Sequence, residues 1–142
     1  MARILSLDYG KRRMGVALSD EKERISMPLG VIQIYNQHNA LSEISNICAN
    51  NHVAKIVLGL PINLDGTEGA SANCARDFGK KISQALNIPV EFWDERLSTH
   101  MVERVLLDSN IRRSKRKQVI DKLAAQAILQ SYLDAHAHKR QS

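Results

Sequence analysis

Four acids in this chain of 142 residues are spaced so that a fold could gather three of them: Asp8, either Asp94 or Glu95, and Asp121. Carboxylates held together repel one another unless a cation neutralises them. Magnesium and manganese favour oxygen ligands and keep positions open for phosphate oxygens and water. Two such ions about 4 Å apart can hold a phosphodiester, activate water and stabilise the leaving oxygen. Each acid also has a plainer reading. Asp8 could form the turn before Gly10 or pair with Arg12. Glu95 could pair with Arg96 at the surface, and Asp121 could favour a helix dipole or pair with Lys117.

Cations supply the complementary signal. The net charge is +5, which favours polyanionic partners. One cluster is Lys11, Arg12 and Arg13; a second is Arg112, Arg113, Lys115, Arg116 and Lys117. His136, His138, Lys139 and Arg140 form a weak basic tail. The second cluster reads either as a solvated loop or as a flexible arm that holds a nucleic-acid backbone, and the arm is expected because cations so close together gain from phosphate. Arg96 could hold a phosphate bidentately or clamp Asp94. Aromatic residues are only 4% of the chain, too few for base stacking to dominate binding.

Ser98 and Thr99 read as helix-capping residues, since no histidine base stands at a recognisable spacing for nucleophilic catalysis. His100 falls on a helix surface. Asp65-Gly66 reads as a turn within a polar loop, Asn63 to Thr67. Gly59 and Pro61 allow either a tight exit that brings backbone near a ligand or a simple strand stop. The two cysteines, Cys48 and Cys74, lack zinc-ligand spacing and read as reduced, partly buried thiols.

These side chains need a scaffold, and the apolar pattern supplies one. Strands are expected at Arg3 to Tyr9, Met14 to Ser19, Gly30 to Tyr35, Ala54 to Gly59 and Pro89 to Asp94, with Arg24 to Pro28 irregular. Helical spacing marks Ala40 to Asn50 (Leu41, Ile44, Ile47, Cys48) and Ala70 to Leu86 (Ala72, Ala75, Phe78, Ile82, Leu86). A helix capped by Ser98 carries Met101, Val102, Val105 and Leu106. A last helix runs from about Lys117 to Ala135, with Ile120, Leu123, Ala124, Ala127, Ile128 and Leu133 inward.

Three strands followed by alternating helices and strands describe an α/β domain with a mixed five-stranded sheet, the first three strands antiparallel and the last two parallel to the first, flanked by helices. Sites in such sheets form at the carboxyl ends of the parallel strands, where Asp8 and Asp94-Glu95 fall. Alternation along a strand lets only one of Asp94 and Glu95 join Asp8. Ala124 and Ala125 let the last helix, with Asp121, approach the sheet. The length suits one domain, residues 1–142. Hydrophobic residues are 44% and charged residues 25%, an ordinary globular balance. No run approaches the roughly 20 apolar residues that span a bilayer. The start, Met-Ala-Arg leading into a strand, does not read as a signal peptide, so no membrane association and a cytoplasmic location are expected.

In combination, Asp8-Tyr9-Gly10-Lys11-Arg12 with Gly15-Val16-Ala17, Gly59-Leu60-Pro61 with Asp65-Gly66-Thr67, Asp94-Glu95-Arg96-Leu97-Ser98-Thr99, and Asp121 before Ala124-Ala125 resemble the YqgF (RuvX-type) family. That resemblance covers nearly the whole chain in order. It implies an RNase H-like fold related to the RuvC Holliday-junction resolvases, and a hydrolase that cleaves phosphodiester bonds to mature the 5′ end of pre-16S ribosomal RNA in ribosome biogenesis. It implies Mg2+ or Mn2+ as cofactor, with Asp8, Glu95 and Asp121 as catalytic metal ligands. Lys11, Arg12, Arg13, Arg96, Arg112, Arg113, Lys115, Arg116 and Lys117 would hold the nucleic acid. Many relatives in the wider superfamily carry an acid near the end of the fourth strand; here that strand ends Val57-Leu58-Gly59-Leu60-Pro61. Partners open at this point are structured precursor ribosomal RNA or branched DNA, bound by a monomer or weak homodimer. The rival functions are a junction-resolving DNA nuclease, a non-catalytic RNA-binding factor in assembly or transcription, and a nucleotide-binding ATPase.

Overall fold

The computed structural model describes residues 2–63, 65–96 and 113–137, with the side chains of 113–122 excepted. The elements are β1 (Arg3–Tyr9), β2 (Arg13–Ser19), β3 (Ser26–Gln33), α1 (Gln37–Asn51), β4 (Val53–Leu60), α2 (Ala70–Leu86), β5 (Val90–Asp94) and α3 (Arg113–Ala135). The strands form one five-stranded sheet in the order β3-β2-β1-β4-β5. β1 pairs antiparallel with β2, and β2 with β3, while β1–β4 and β4–β5 are parallel. This is the mixed sheet expected from the sequence.

Alternation along the central strands divides their side chains between two cores. Leu5 and Leu7 of β1 and Ile56 and Leu58 of β4 face α1 and α2, joining Ile44, Phe78 and Ile82. Ile4 and Val57 face the other way, onto Ala125, Ile128, Leu129, Tyr132 and Leu133 of α3. Both faces of β1 are therefore covered, which is why its apolar run is nearly continuous. Gly79 brings α2 close to β5: a Cβ there would lie 2.6 Å from Phe92 Cζ.

Three elements differ from the sequence reading by more than one residue. β3 begins at Ser26, so residues expected to be irregular are part of a strand, and Tyr35 lies beyond its end. Pro28 disguises the strand; a proline is tolerated because β3 is at the sheet edge, beside a register shift at Val16/Ala17. α1 starts at Gln37 rather than Ala40, because Asn36 and Asn39 cap one another's backbone reciprocally. Finally, Arg113, Lys115, Arg116 and Lys117 are not a flexible arm. They form the first turns of α3, consistent with the high helix propensity of lysine and arginine. The expected helix after Ser98 (Met101 to Leu106), Arg112 and the tail residues His138, Lys139 and Arg140 lie outside the described residues.

α3 runs antiparallel to β4 and β5, as its contacts show. Near the start of β4, Lys55 Nζ donates to Tyr132 Oη at 2.7 Å. On β5, Trp93 Nε1 donates to Ser131 Oγ at 3.1 Å. At the end of β4, a Cβ on Gly59 would sit 2.6 Å from Ile128 Cδ1. Advancing along the strands means moving back along the helix, so the N-terminal turns of α3 reach the carboxyl ends of the parallel strands.

Candidate active site

Asp8 lies near the end of β1, on the same strand face as Ser6, whose hydroxyl donates to α3. Glu95 follows the last residue of β5, and its backbone N–H donates to Leu60 O at 3.2 Å, tying it to the end of β4. Trp93 packs in the α3-side core whereas Phe92 packs on the α1/α2 side. Alternation therefore puts Glu95 on Asp8's face and Asp94 on the other.

The two carboxyls meet. Glu95 is hydrogen-bonded to Asp8; burial, that bond and the charges of Asp8 and Asp94 together push the Glu95 carboxyl up to about 9. Gly59 makes the meeting possible. Its Cβ, if it had one, would lie 3.0 Å from Glu95 Cγ and 3.1 Å from Glu95 Oε1. The glycine is thus a close approach of backbone to the site, not only a strand stop.

Asp94 is engaged elsewhere. Arg96 Nη2 donates to Asp94 Oδ2 at 2.7 Å, its Nε lies 3.1 and 3.0 Å from the two carboxylate oxygens, and its backbone N–H donates to Oδ1 at 2.9 Å. The guanidinium and these bonds hold the Asp94 carboxyl below the usual range. Of the two readings of Arg96, the clamp on Asp94 is the one realised.

The neighbouring loop is held by its own polar groups. Thr67 donates through N–H and Oγ1 to Asp65 Oδ1, at 2.9 and 2.6 Å, and Asn63 N–H donates to Thr67 O at 2.9 Å. Gly66 takes φ +89°, the turn expected at Asp65-Gly66. Glu68 joins the loop to α2 through a bidentate pair with Arg76, at 2.6 and 2.8 Å.

On the other side of Asp8, Gly10 turns β1 into β2. A Cβ at Gly10 would stand 2.7 Å from Arg13 O, the acceptor of Gly10 N–H at 3.0 Å. Lys11 and Arg12 are exposed at the tip and Arg13 is half-buried at the start of β2. Cys48 is buried and Cys74 exposed, so only Cys48 is the buried thiol expected.

The described donors suit a hard cation. Two carboxyls sharing a hydrogen bond offer oxygens to a single centre, and a divalent ion can replace the proton that now relieves their repulsion. Among the described residues no third histidine, cysteine, aspartate or glutamate joins them. Asp121 lies on α3, one turn before Ala125, and its side chain is outside the described residues.

Comparison with known proteins decides the family. The family model described as "RuvX: Holliday junction resolvase" matches residues 2–135. This chain belongs to the RuvX family. A RuvX relative from Syntrophomonas wolfei, named "Putative pre-16S rRNA nuclease", is 45% identical over 132 residues, covering 93% of this chain and 94% of its own. One of the same name from Clostridium botulinum is 45% identical, covering 93% and 96%. The RuvX chain shares its fold with Thermus thermophilus RuvC, solved with a Holliday junction substrate: TM-score 0.61, 12% identity and 97% coverage of both chains. Fowlpox virus resolvase, solved with Holliday junction DNA, gives a TM-score of 0.56 at 10% identity, covering 94% of this chain and 97% of its own. The RNase H-like fold implied by the sequence motifs is thus the fold found.

Proposed function

We propose that this chain is a single-domain, cytoplasmic, divalent-metal-dependent nuclease that processes the 5′ end of pre-16S ribosomal RNA. The observation that carries the reading is the Asp8–Glu95 carboxyl pair, seated over Gly59 where parallel strands end. The names of the RuvX relatives supply the substrate.

Asp8, Glu95 and Asp121 would hold Mg2+ or Mn2+. Bound there, the ion supplies positive charge to the phosphate and acidity to a coordinated water. The chain's own residues do the rest. Asp8 and Glu95 would hold the ion as carboxylates, without the proton that now relieves their repulsion. Lys11, Arg12 and Arg13 on one side, and Arg112, Arg113, Lys115, Arg116 and Lys117 on the other, attract and orient the phosphate backbone. Arg96 acts first by fixing Asp94, which leaves Glu95 turned toward Asp8; its guanidinium also adds positive charge beside the strand to be cut.

The test is cleavage of a precursor RNA carrying the 16S 5′ end, with magnesium or manganese, by wild type and Asp8→Asn. Wild type should cut and Asp8→Asn should fold but not cut. Equal cleavage by the two would end the assignment. The family model's description favours a second substrate, a four-way DNA junction; cleavage of a synthetic junction but not of the RNA would put it in place of ribosomal RNA. Tight RNA binding without cleavage under either metal would leave a non-catalytic assembly factor.

A further inference from the structure

Two buried serines hold α3 to the sheet through consecutive carbonyls of the helix. Ser6 of β1 has 0% exposure and Ser26 of β3 has 2%. Ser6 Oγ donates to Ala125 O at 2.7 Å, and Ser26 Oγ donates to Gln126 O at 2.8 Å. Helix side chains answer from the other direction. Gln130 Oε1 accepts from Ser26 N–H at 3.0 Å, Gln126 Nε2 donates to Ser26 O at 3.2 Å, and Gln130 Nε2 donates to Arg24 O at 3.0 Å.

Apolar packing alone holds a helix on a sheet without fixing its register sharply, because one methyl group substitutes for another. A hydroxyl bonded to a particular carbonyl does fix it. Moving one residue along an α-helix displaces the carbonyl by about 1.5 Å and turns it by about 100°. The small side chains of Ala124 and Ala125, at 6% and 0% exposure, permit the close approach these bonds require. Ser6 stands two positions before Asp8 on the same strand face, and Asp121 stands one helical turn before Ala125. The Ser6 bond therefore sets how far along β1, and at what rotation, the turn bearing Asp121 comes to rest.

Resting on the metal-dependent reading above, we propose that Ser6 is a positioning residue, aided by Ser26, that sets α3 so that its acid completes the metal site begun by Asp8 and Glu95. Ser6 is fully buried with its hydroxyl committed to Ala125 O, so it would act on neither substrate nor metal directly. Its effect passes through the backbone of α3 to a ligand, and outer partners of metal ligands commonly alter metal affinity by about 10- to 100-fold.

Ser19 supplies the control. It is also 0% exposed, but among the described residues its hydroxyl bonds within the strands and their turn, accepting from Ile4 N–H at 2.9 Å and donating to Asp20 O at 3.0 Å. Wild type, Ser6→Ala, Ser26→Ala, Ser19→Ala and Asp8→Asn would be titrated with Mn2+ alone, following bound ion directly, and melted in its absence. Ser6→Ala should weaken Mn2+ binding about tenfold or more, Ser26→Ala in the same direction, and saturating Mn2+ should restore most cleavage. Ser19→Ala should lower the melting temperature and leave Mn2+ affinity unchanged.

If Asp8→Asn abolishes Mn2+ binding while both Ser6→Ala and Ser26→Ala stay within twofold of wild type, the positioning role is wrong and the metal site stands. If Ser19→Ala weakens binding as much as Ser6→Ala, the effect is general destabilisation and the role is again wrong. If Asp8→Asn binds Mn2+ like wild type, the metal reading fails and this role fails with it. Should Ser6→Ala not fold, Ser26→Ala against Ser19→Ala decides by the same criterion.

Discussion

Glu95 reaches over Gly59 of the intervening strand to hydrogen-bond Asp8. β1 and β5 are not neighbours in the sheet; β4 lies between them. The carboxyls meet because the middle strand has no side chain where they cross.

Gly59→Ala should therefore separate the acids. The new methyl would lie 2.6 Å from Ile128 Cδ1 and 3.0 Å from Glu95 Cγ. The tip of Ile128 can turn away, but the Glu95 stem is fixed by the backbone bond to Leu60 O. Overpacking of this kind costs about 1–3 kcal/mol. Cleavage of precursor RNA should fall by a larger factor than stability explains, as chemical denaturation and single-turnover cleavage measured side by side would show. Unchanged cleavage would mean that the acids need not meet there.

The adjacent acids Asp94 and Glu95 should respond differently. Glu95→Gln should abolish cleavage, because it removes a carboxylate from the pair. Asp94→Asn should leave measurable cleavage and loosen Arg96, with only a small loss of stability, as expected for a partly exposed ion pair. Cleavage rates and melting temperatures of the two variants check this; the reverse order would exchange their roles.

The raised Glu95 carboxyl, at about 9, carries a pH signature. Folded protein keeps a proton that unfolded protein loses above the ordinary carboxylate range. Stability of the metal-free protein should thus be greatest below about pH 4.5 as far as this group is concerned, and decline as pH rises from there toward 9. Glu95→Gln should flatten the profile across that window. Magnesium should stabilise wild type increasingly as pH rises, because it takes the proton's place. Thermal melts across the window, with and without magnesium, measure both effects; a flat wild-type profile would contradict the shared proton.

Salt should weaken RNA binding steeply. If Lys11 to Arg13 and the basic start of α3 together meet about five phosphates, log affinity against log salt should slope at roughly −3.5 on single strands. Replacing Lys115, Arg116 and Lys117 with glutamine should make the slope shallower by about 2 units on the same scale. A slope near zero would exclude the basic face as the binding surface.

Much of this arrangement was legible in the residues. The run Arg3 to Tyr9 gave β1 its bounds, and the spacing of Ala72, Ala75, Phe78 and Ile82 gave α2 its buried face. The choice between Asp94 and Glu95 could not be made from alternation alone, since it depends on which face each strand presents to which helix. Arg96 beside Asp94 is the nearest local signal, but its sequence fits a phosphate as well as a clamp; only the folded contact on Asp94 selects the clamp, with Glu95 turned to Asp8. β3 was obscured because an edge strand tolerates Pro28, and local pattern reads such a proline as a break. The basic run reads as a flexible arm because crowded cations repel and gain from phosphate, whereas the helix propensity of lysine and arginine carries it into α3. Ser6 was missed altogether, although a serine inside an apolar strand is itself a signal: a hydroxyl sealed in a core must find an acceptor.

The network of Lys55, Glu91 and Tyr132 closes α3 at the far end of the sheet. Lys55 Nζ and Tyr132 Oη each donate to Glu91 Oε2, at 3.0 and 2.7 Å, and the Tyr132 ring stacks on His136 with centroids 4.1 Å apart. From Tyr132 back to Asp121 the helix is a rod about 16 Å long. Loosening its tail by about 5° swings the head by more than 1 Å, a misplacement that costs an enzyme about 100-fold. Damage remote from the acids is thus levered into them, and the tail of this helix is as exacting a part of the machine as its head.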